Sequence, residues 1–533
     1  MGSFKIDDRE IPFEAGETVI QAARRAGIDI PHYCWHPGLS VAANCRMCLV
    51  ELLPPPGRAP LMLNVLRWDA ELQDYVEERK PKLVPACQQP VSEGMEIRSD
   101  SSAHVKRARS AVQELLLLNH PVDCPICDQA GECRLQDYWL EHQATAKRMR
   151  DEPIHKPKAV RFGPNIVYDA ERCIVCTRCV RVSAELARDP VLSVRERGNL
   201  NEIVVAPGRQ LDHAYSLMTE FVCPVGALTA QDFRFKARVW FLRSARTVCQ
   251  GCATGCNAFL DYDPRNNTVF RHRPRENPAV NQHWMCDEGM LSYRRVHEER
   301  VLQGLVKGEV APLAAAVRSA AKRLAKARER GSLAVLLSAQ HSQEDNFAVL
   351  TLGRRLGASG WFVTHRADGP GDDILRHGDK NPNRAGVALL CPDANPVEAL
   401  ATALEAEEFS DVLALGGELP DVVLARPFGK PKAHIVLATH EGPVVRKATV
   451  VLPASTWAEA DGVFVNARGM AQTSERAVRP HGDSLPAWRL AVLLAEELGL
   501  DLGWRKLSEL RRAMEQGSRG PEVVAAPEAG AIG

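Results

Sequence analysis

At 533 residues the chain is too long for one hydrophobic core and predicts roughly three to five domains. Its 45% hydrophobic and 25% charged residues are the composition of an ordinary globular protein, not of a disordered or fibrous one. The 67 basic and 67 acidic residues cancel, which argues against a dedicated nucleic-acid binder, and no apolar run reaches the roughly 18 residues that a membrane helix needs.

The opening MGSFKIDDREIPF has no apolar signal-peptide core, so a cytoplasmic protein is expected, with membrane contact only through partner subunits. SFKI and REIPF flank the turn-prone pair Asp7-Asp8 and predict a hairpin. EAGETVIQAARRAG (14–27) predicts an amphipathic helix with Val19, Ile20, Ala23 and Ala26 on one face and Gly27 as its stop. LLPPPGRAP (52–60) cannot donate to a sheet ladder and predicts a surface loop. HVKRARSAVQELLLLNH (104–120) predicts a helix with Val105, Ala108, Val112, Leu115 and Leu116 on its apolar stripe, ending near His120 because Pro121 follows. The basic stretch 147–161 reads as a solvated linker, or else as a docking surface for an acidic partner.

From about residue 300 the texture changes. SLAVLLSA (332–339), WFVTH (361–365), VALLC (387–391), DVLALGG (411–417) and HIVLAT (434–439) are short apolar runs. Helix-like segments at 311–330 and 396–408 lie between them, an alternation that predicts an α/β domain on a largely parallel sheet. GPEVVAAPEAGAIG reads as a frayed tail.

Of sixteen cysteines, fifteen lie within residues 34–286. Clustered cysteines in a chain without a secretion signal point to metal rather than disulfides. Cys34, Cys45, Cys48 and the later Cys87 form a variant of the plant-type [2Fe–2S] pattern, with a first gap of ten residues. His120, Cys124, Cys127 and Cys133 form a second set. Cys173, Cys176 and Cys179 with a remote Cys-Pro at Cys223 match the bacterial ferredoxin pattern, and only one such run is present, so one [4Fe–4S] cluster is expected there. Cys249, Cys252, Cys256 and Cys286 fit a further [4Fe–4S] cluster. Zinc is the main competitor for the first and last sets.

The sets use fifteen cysteines and one histidine. Cys391 is left over in an apolar run and reads as a buried core thiol. His120 could simply meet the last carbonyls of a helix. Without it, however, its set lacks a fourth ligand. A neutral imidazole in place of a thiolate makes a cluster less negative and, by analogy with Rieske centres, raises its potential.

CRMCLVEL, NHPVDCPICDQAGECRLQD, CIVCTRCVR, CPVGALT and CQGCATGC together resemble the large iron–sulfur subunit of respiratory complex I, the G-subunit family of NADH:quinone oxidoreductases. The resemblance covers residues 1 to about 290. ATVVLPASTWAEADGVFVNARGMAQ (448–472) is similar to the late motif of molybdopterin oxidoreductases. The resemblance implies a multidomain α+β and α/β fold. Its segments would be a [2Fe–2S] β-grasp domain at 1–98, a His/Cys3 [4Fe–4S] domain at 99–145 and a ferredoxin-like [4Fe–4S] domain at 146–240. A molybdopterin-oxidoreductase-type [4Fe–4S] domain at 241–300, a shortened α/β domain at 301–515 and a flexible tail at 516–533 complete the order. It further implies one [2Fe–2S] and three [4Fe–4S] clusters, no molybdenum cofactor, and docking beside the flavin subunit that oxidises NADH and other peripheral-arm subunits. The fourth cluster is not universal in that family and is held to lie off its main electron path.

No residues here read as a general base, a nucleophile or a Gly-rich nucleotide cradle, so no substrate-converting site of the chain's own is expected. The leading expectation is an electron carrier within a quinone-reducing complex at the cytoplasmic membrane face. The large subunit of an NAD-linked formate dehydrogenase is the alternative, for which Cys391 is the sole candidate metal-binding cysteine. A hydrogenase would need a further cysteine set after Cys286, and a zinc-binding scaffold is the non-redox reading.

Overall fold

The computed structural model describes residues 2–517 except 54–58, 60, 144, 147 and 418–432. Gln516 and Gly517, placed by the prediction in the tail, instead end the helix Leu507–Gly517; the rest of that tail and most of the loop at 52–60 lie outside the described residues. Two units divide the chain, Met1–Trp240 and Phe241–Ala529.

In the first unit, Gly2–Ile6 and Arg9–Phe13 pair as the predicted hairpin. Asp7 and Asp8 both take positive φ, 47° and 69°, as a tight two-residue hairpin turn requires and as aspartate tolerates. The hairpin joins a five-stranded sheet in the order Arg9–Phe13, Gly2–Ile6, Glu96–Arg98, Leu49–Leu53, Leu83–Pro85. One helix packs on it through Val19, Ile20, Ala22 and Ala23, so the sheet grasps a helix as the resemblance implied. That helix runs Val19–Arg25, starting later than predicted, because Thr18 and Gln21 close a capping box in front of it.

The helix at Ala103–Leu117 is present but turned from the predicted face. Its buried residues are Val105, Arg109 and Gln113, while Leu115 is 67% exposed. The polar face wins because the guanidinium end of Arg109 and both amide atoms of Gln113 find partners, although Arg109 Nε has none. Arg109 donates to Asp100 and to Ser99, both at 2.6 Å. Gln113 accepts from the Tyr33 hydroxyl at 2.5 Å and donates to the Leu135 carbonyl at 2.8 Å. A buried polar side chain costs little once hydrogen-bonded. A long ribbon, Met62–Asp69 with Asp74–Pro81, carries no expectation from the sequence; among the described residues its strands pair only with each other, and Trp68 and Tyr75 are exposed.

In the second unit, an antiparallel sheet of Arg243–Val248, Asn257–Asp263 and Thr268–Pro274 precedes an eight-stranded sheet. The core of the latter is parallel, in the order Val450–Pro453, Ala433–Ala438, Asp411–Leu415, Leu333–Ser338, Gly360–Thr364. Both faces are buried, which is why these strands read as continuous apolar runs. Leu333, Val335, Leu337, Leu413 and Leu415 point to one core with the helices Leu313–Arg330, Gln343–Arg355 and Ala487–Glu497. Ala334, Leu336, Val412 and Ala414 point to the other, under Val397–Glu405. VALLC is a correction: it falls in the helix Arg384–Leu390, not in a strand. A short apolar run does not distinguish a strand from a half-buried helix.

Candidate metal centres

In the first set, the antiparallel pair Leu49–Leu53 and Leu83–Pro85 brings Cys48 and Cys87 side by side, with the Ala86 N–H donating to the Cys48 carbonyl at 2.9 Å. The loop carrying Cys34 and Cys45 closes over them. Ala43 and Arg46 take φ of 49° and 61°, a strained conformation concentrated where the loop must fold tightly. The four thiols converge: hydrogen bonds from Cys45 and Cys87 pull the Cys34 thiol well down, and one from Cys87 lowers Cys48.

In the second set, Cys124 and Cys127 flank a single 3-10 turn and Cys133 caps the helix Arg134–His142. Burial raises the Cys133 thiol to about 11. The His120 Nδ1 is buried without a hydrogen-bond partner. Burial pushes the His120 imidazole down to about 4, so it is neutral at physiological pH, the form that binds metal. The charges bearing on His120 are those of Asp123, Arg172, Asp169 and Lys158.

The third set surrounds a cavity. Cys173, Cys176, Cys179 and Cys223 line one cavity together with Tyr168 and Arg178. Val175 and Thr177, between the cysteines, have φ of 51° and 63°. The Val175 N–H points at the Cys173 sulfur at 3.4 Å. The return loop also reaches the second set. The Arg134 N–H donates to the Pro224 carbonyl at 3.1 Å, and Arg172 holds Asp123 at 2.5 Å. A Cβ at Gly226 would collide with the Cys127 sulfur. Gly226→Ala is therefore expected to cost the chain about four irons, the content of one cubane. Iron per chain measures this, and a full complement in the variant would refute the close approach.

In the fourth set, the Cys249 N–H donates to the Cys256 carbonyl at 2.8 Å, and Gly255 turns the loop with φ of 61°. Gly251 and Gly289 N–H groups point at the Cys249 and Cys286 sulfurs, each at 3.4 Å. Burial raises Cys286 to about 12 and holds Cys249 and Cys256 well above the ordinary thiol range. The late motif at 448–472 braces this loop. The Asn466 amide donates to the Thr254 carbonyl at 3.3 Å, Ala467 N–H to Ala253 at 2.8 Å, and Gln472 to Gly255 at 3.0 Å. Nothing in the spacing of Asn466 and Gln472 marked them for this role.

Among the described residues no group of three or more His, Cys, Asp or Glu side chains is placed to hold one metal ion. A cluster asks for something else, thiolates spread over several irons in a dry pocket with N–H groups aimed at sulfur. Buried thiols, an unpartnered imidazole nitrogen and amides facing sulfur fit such a group. Cys391 lies apart, 6% exposed within the large core of the second unit beside Val387. Among the described residues no helix is long and apolar enough to cross a membrane.

Four family models match the chain. They are a 2Fe-2S iron-sulfur cluster binding domain over residues 2–102, the NADH-ubiquinone oxidoreductase-G iron-sulfur binding region over 109–148, the ferredoxin-like domain of NADH-quinone oxidoreductase subunit 3 over 163–229, and molybdopterin oxidoreductase over 377–497. The chain is 33% identical to the NADH-quinone oxidoreductase G subunit of Streptomyces coelicolor over 66% of its own length and 39% of that protein. It is 27% identical to the Rickettsia bellii G subunit over 95% of its length and 88% of that protein. It is 36% identical to the mitochondrial NADH-ubiquinone oxidoreductase 78 kDa subunit of Candida albicans over 57% of its length and 38% of that protein. The alignments thus span only about half, or less, of several of these relatives, 50% for the Rickettsia conorii protein.

Proposed function

We propose that this chain, a homologue of the G subunit of NADH-quinone oxidoreductase with 2Fe-2S and 4Fe-4S binding domains and a molybdopterin-oxidoreductase-like region, works as an electron wire inside a complex I. It takes electrons from the flavin- and NADH-binding subunit and passes them through its clusters to other peripheral-arm subunits, towards quinone. NADH oxidation and quinone reduction belong to those partners, and the complex sits on the cytoplasmic membrane face. The observation that carries the reading is the interlocking of three ligand sets in the first unit, where the third loop touches the loops of both others.

Cys34, Cys45, Cys48 and Cys87 would hold a [2Fe–2S] cluster. Three [4Fe–4S] clusters would rest on His120, Cys124, Cys127 and Cys133; on Cys173, Cys176, Cys179 and Cys223; and on Cys249, Cys252, Cys256 and Cys286. When bound, the clusters supply one-electron carriers. The chain supplies thiolates, exclusion of water and N–H groups that face sulfur, which together tune the potentials. The proposed segments are 1–98, 99–145, 146–240 and 241–300 for these centres, with 301–515 as a domain without molybdenum.

Iron, acid-labile sulfide and zinc per chain, on anaerobically purified protein, test this. The expected value is about fourteen irons, two from one binuclear centre and twelve from three cubanes. A value near ten would leave one cubane site unused, and abundant zinc with little sulfide would end the electron-transfer reading.

A further inference from the structure

We propose that Arg178 and Arg181 are positioning residues that tie the first cluster loop to the third and hold positive charge between the two centres. This rests on reading both cysteine sets as iron–sulfur sites. The two arginines sit inside CIVCTRCVR, at either end of the short helix Arg178–Arg181, which also carries Cys179 of the third set. Their side chains leave that set and end on carbonyls of the first. Arg181 donates to the Cys34 carbonyl at 2.5 Å and to the Ser40 carbonyl, while also reaching the Cys176 carbonyl at 3.4 Å. Arg178 donates to the Trp35 carbonyl and, at 3.1 Å, to Val222, the residue before Cys223. Each guanidinium thus bonds the backbone beside a ligand of both sets.

Two further contacts stitch the same seam. Glu185 accepts from the Ser40 N–H at 2.9 Å and from its hydroxyl at 2.5 Å, and the Asn44 amide donates to the Val175 carbonyl at 3.3 Å. Arg178 and Arg181 are 6% and 9% exposed, and neither has a carboxylate partner among the described ion pairs. Burying an unpaired cation is costly unless something compensates for it. A guanidinium keeps its charge at neutral pH even when buried. The compensation that fits is anionic and close by: Arg178 lines the cavity of Cys173, Cys176, Cys179 and Cys223. The Nε atoms of both arginines are buried with no partner, each offering one N–H to an acceptor that is not protein. A reduced cluster with thiolate ligands carries the negative charge these groups would meet.

The consequence is electronic as well as mechanical. When bound, the two clusters would supply one-electron carriers, so an electron passed between them would need no bond made or broken and no proton moved. A fixed cation between them stabilises the reduced form of each, and the carbonyl bridges hold their separation.

The test uses the full chain, loaded anaerobically, with iron content, redox titration and paramagnetic resonance. Arg181→Met, similar in bulk but uncharged, is expected to keep its iron, to shift the midpoints of the two-iron centre and the third-set centre downward, and to lose part of the magnetic interaction between them. Arg181→Lys keeps the charge but cannot span three carbonyls. It is expected to restore the midpoints without restoring the interaction. An iron-replete Arg181→Met with both midpoints and the interaction unchanged would overturn the proposal, since packing alone moves neither. Where Arg181→Met fails to load, the magnetic interaction in Arg181→Lys decides, a changed one supporting the proposal and an unchanged one overturning it. Unsubstituted chain without iron and sulfide would sink the cluster reading itself, a failure distinct from either.

Discussion

His120→Cys is expected to lower the midpoint potential of one four-iron centre by on the order of 100 mV while iron per chain stays near its original value. The effect is electrostatic. A thiolate carries a charge that a neutral imidazole does not, so the cluster becomes more negative and harder to reduce. Burial already holds His120 in its neutral form, and its Nδ1 has no partner among the described residues. A redox titration of the holo chain reads the shift directly. An unchanged midpoint with full iron would mean that His120 ligates nothing and that the second set takes its fourth ligand elsewhere.

Arg300→Met is expected to cost the second unit about 3 to 5 kcal/mol, the price of stranding a buried partner charge. Arg300 holds Glu459 at 2.7 Å, with the side chains 3% and 0% exposed. Glu459 also accepts from the Thr456 N–H and from His481, both at 2.7 Å, so it anchors the middle of the late motif. Burial pushes the Glu459 carboxyl up, but the hydrogen bonds and charge of Arg300 outweigh burial and hold it below its ordinary range.

The sign follows from linkage. A depressed carboxyl contributes stability that is present above its unfolded value and lost as pH falls through the folded one. Between pH 8 and 6 this group therefore leaves the unsubstituted chain unaffected. In Arg300→Met burial is opposed only by the Thr456 and His481 hydrogen bonds and the carboxyl rises, so the variant gains stability as pH is lowered over the same window. Urea unfolding at the two pH values checks both parts. A variant that is no weaker, or whose pH response matches the original, would show that the pair is dispensable.

Much of the site was legible because ligand spacing is local. Three cysteines within seven or eight residues wrap a small inorganic core whatever the rest of the chain does, so CIVCTRC and CQGCATGC announce their chemistry unaided. The parallel sheet was legible for a related reason. Strands buried on both faces, such as Leu333–Ser338 and Ala433–Ala438, must be apolar throughout. The failures share a cause as well. VALLC carries no period that separates helix from strand. The stripe through Leu115 lost to a polar face whose partners, Ser99, Asp100, Tyr33 and Leu135, arrive from distant parts of the chain.

By itself, then, the sequence determined what each loop can bind, since thiolate and imidazole identity and spacing are properties of short segments. Only the tertiary structure decided which loops touch. Arg178 and Arg181 bond carbonyls more than 140 residues away, at Cys34, Trp35 and Ser40, and Gln472 braces Gly255 across 217 residues. Guanidinium and amide groups reach whatever acceptor folding brings within about 3 Å, and a backbone carbonyl has no side-chain signature to read in advance.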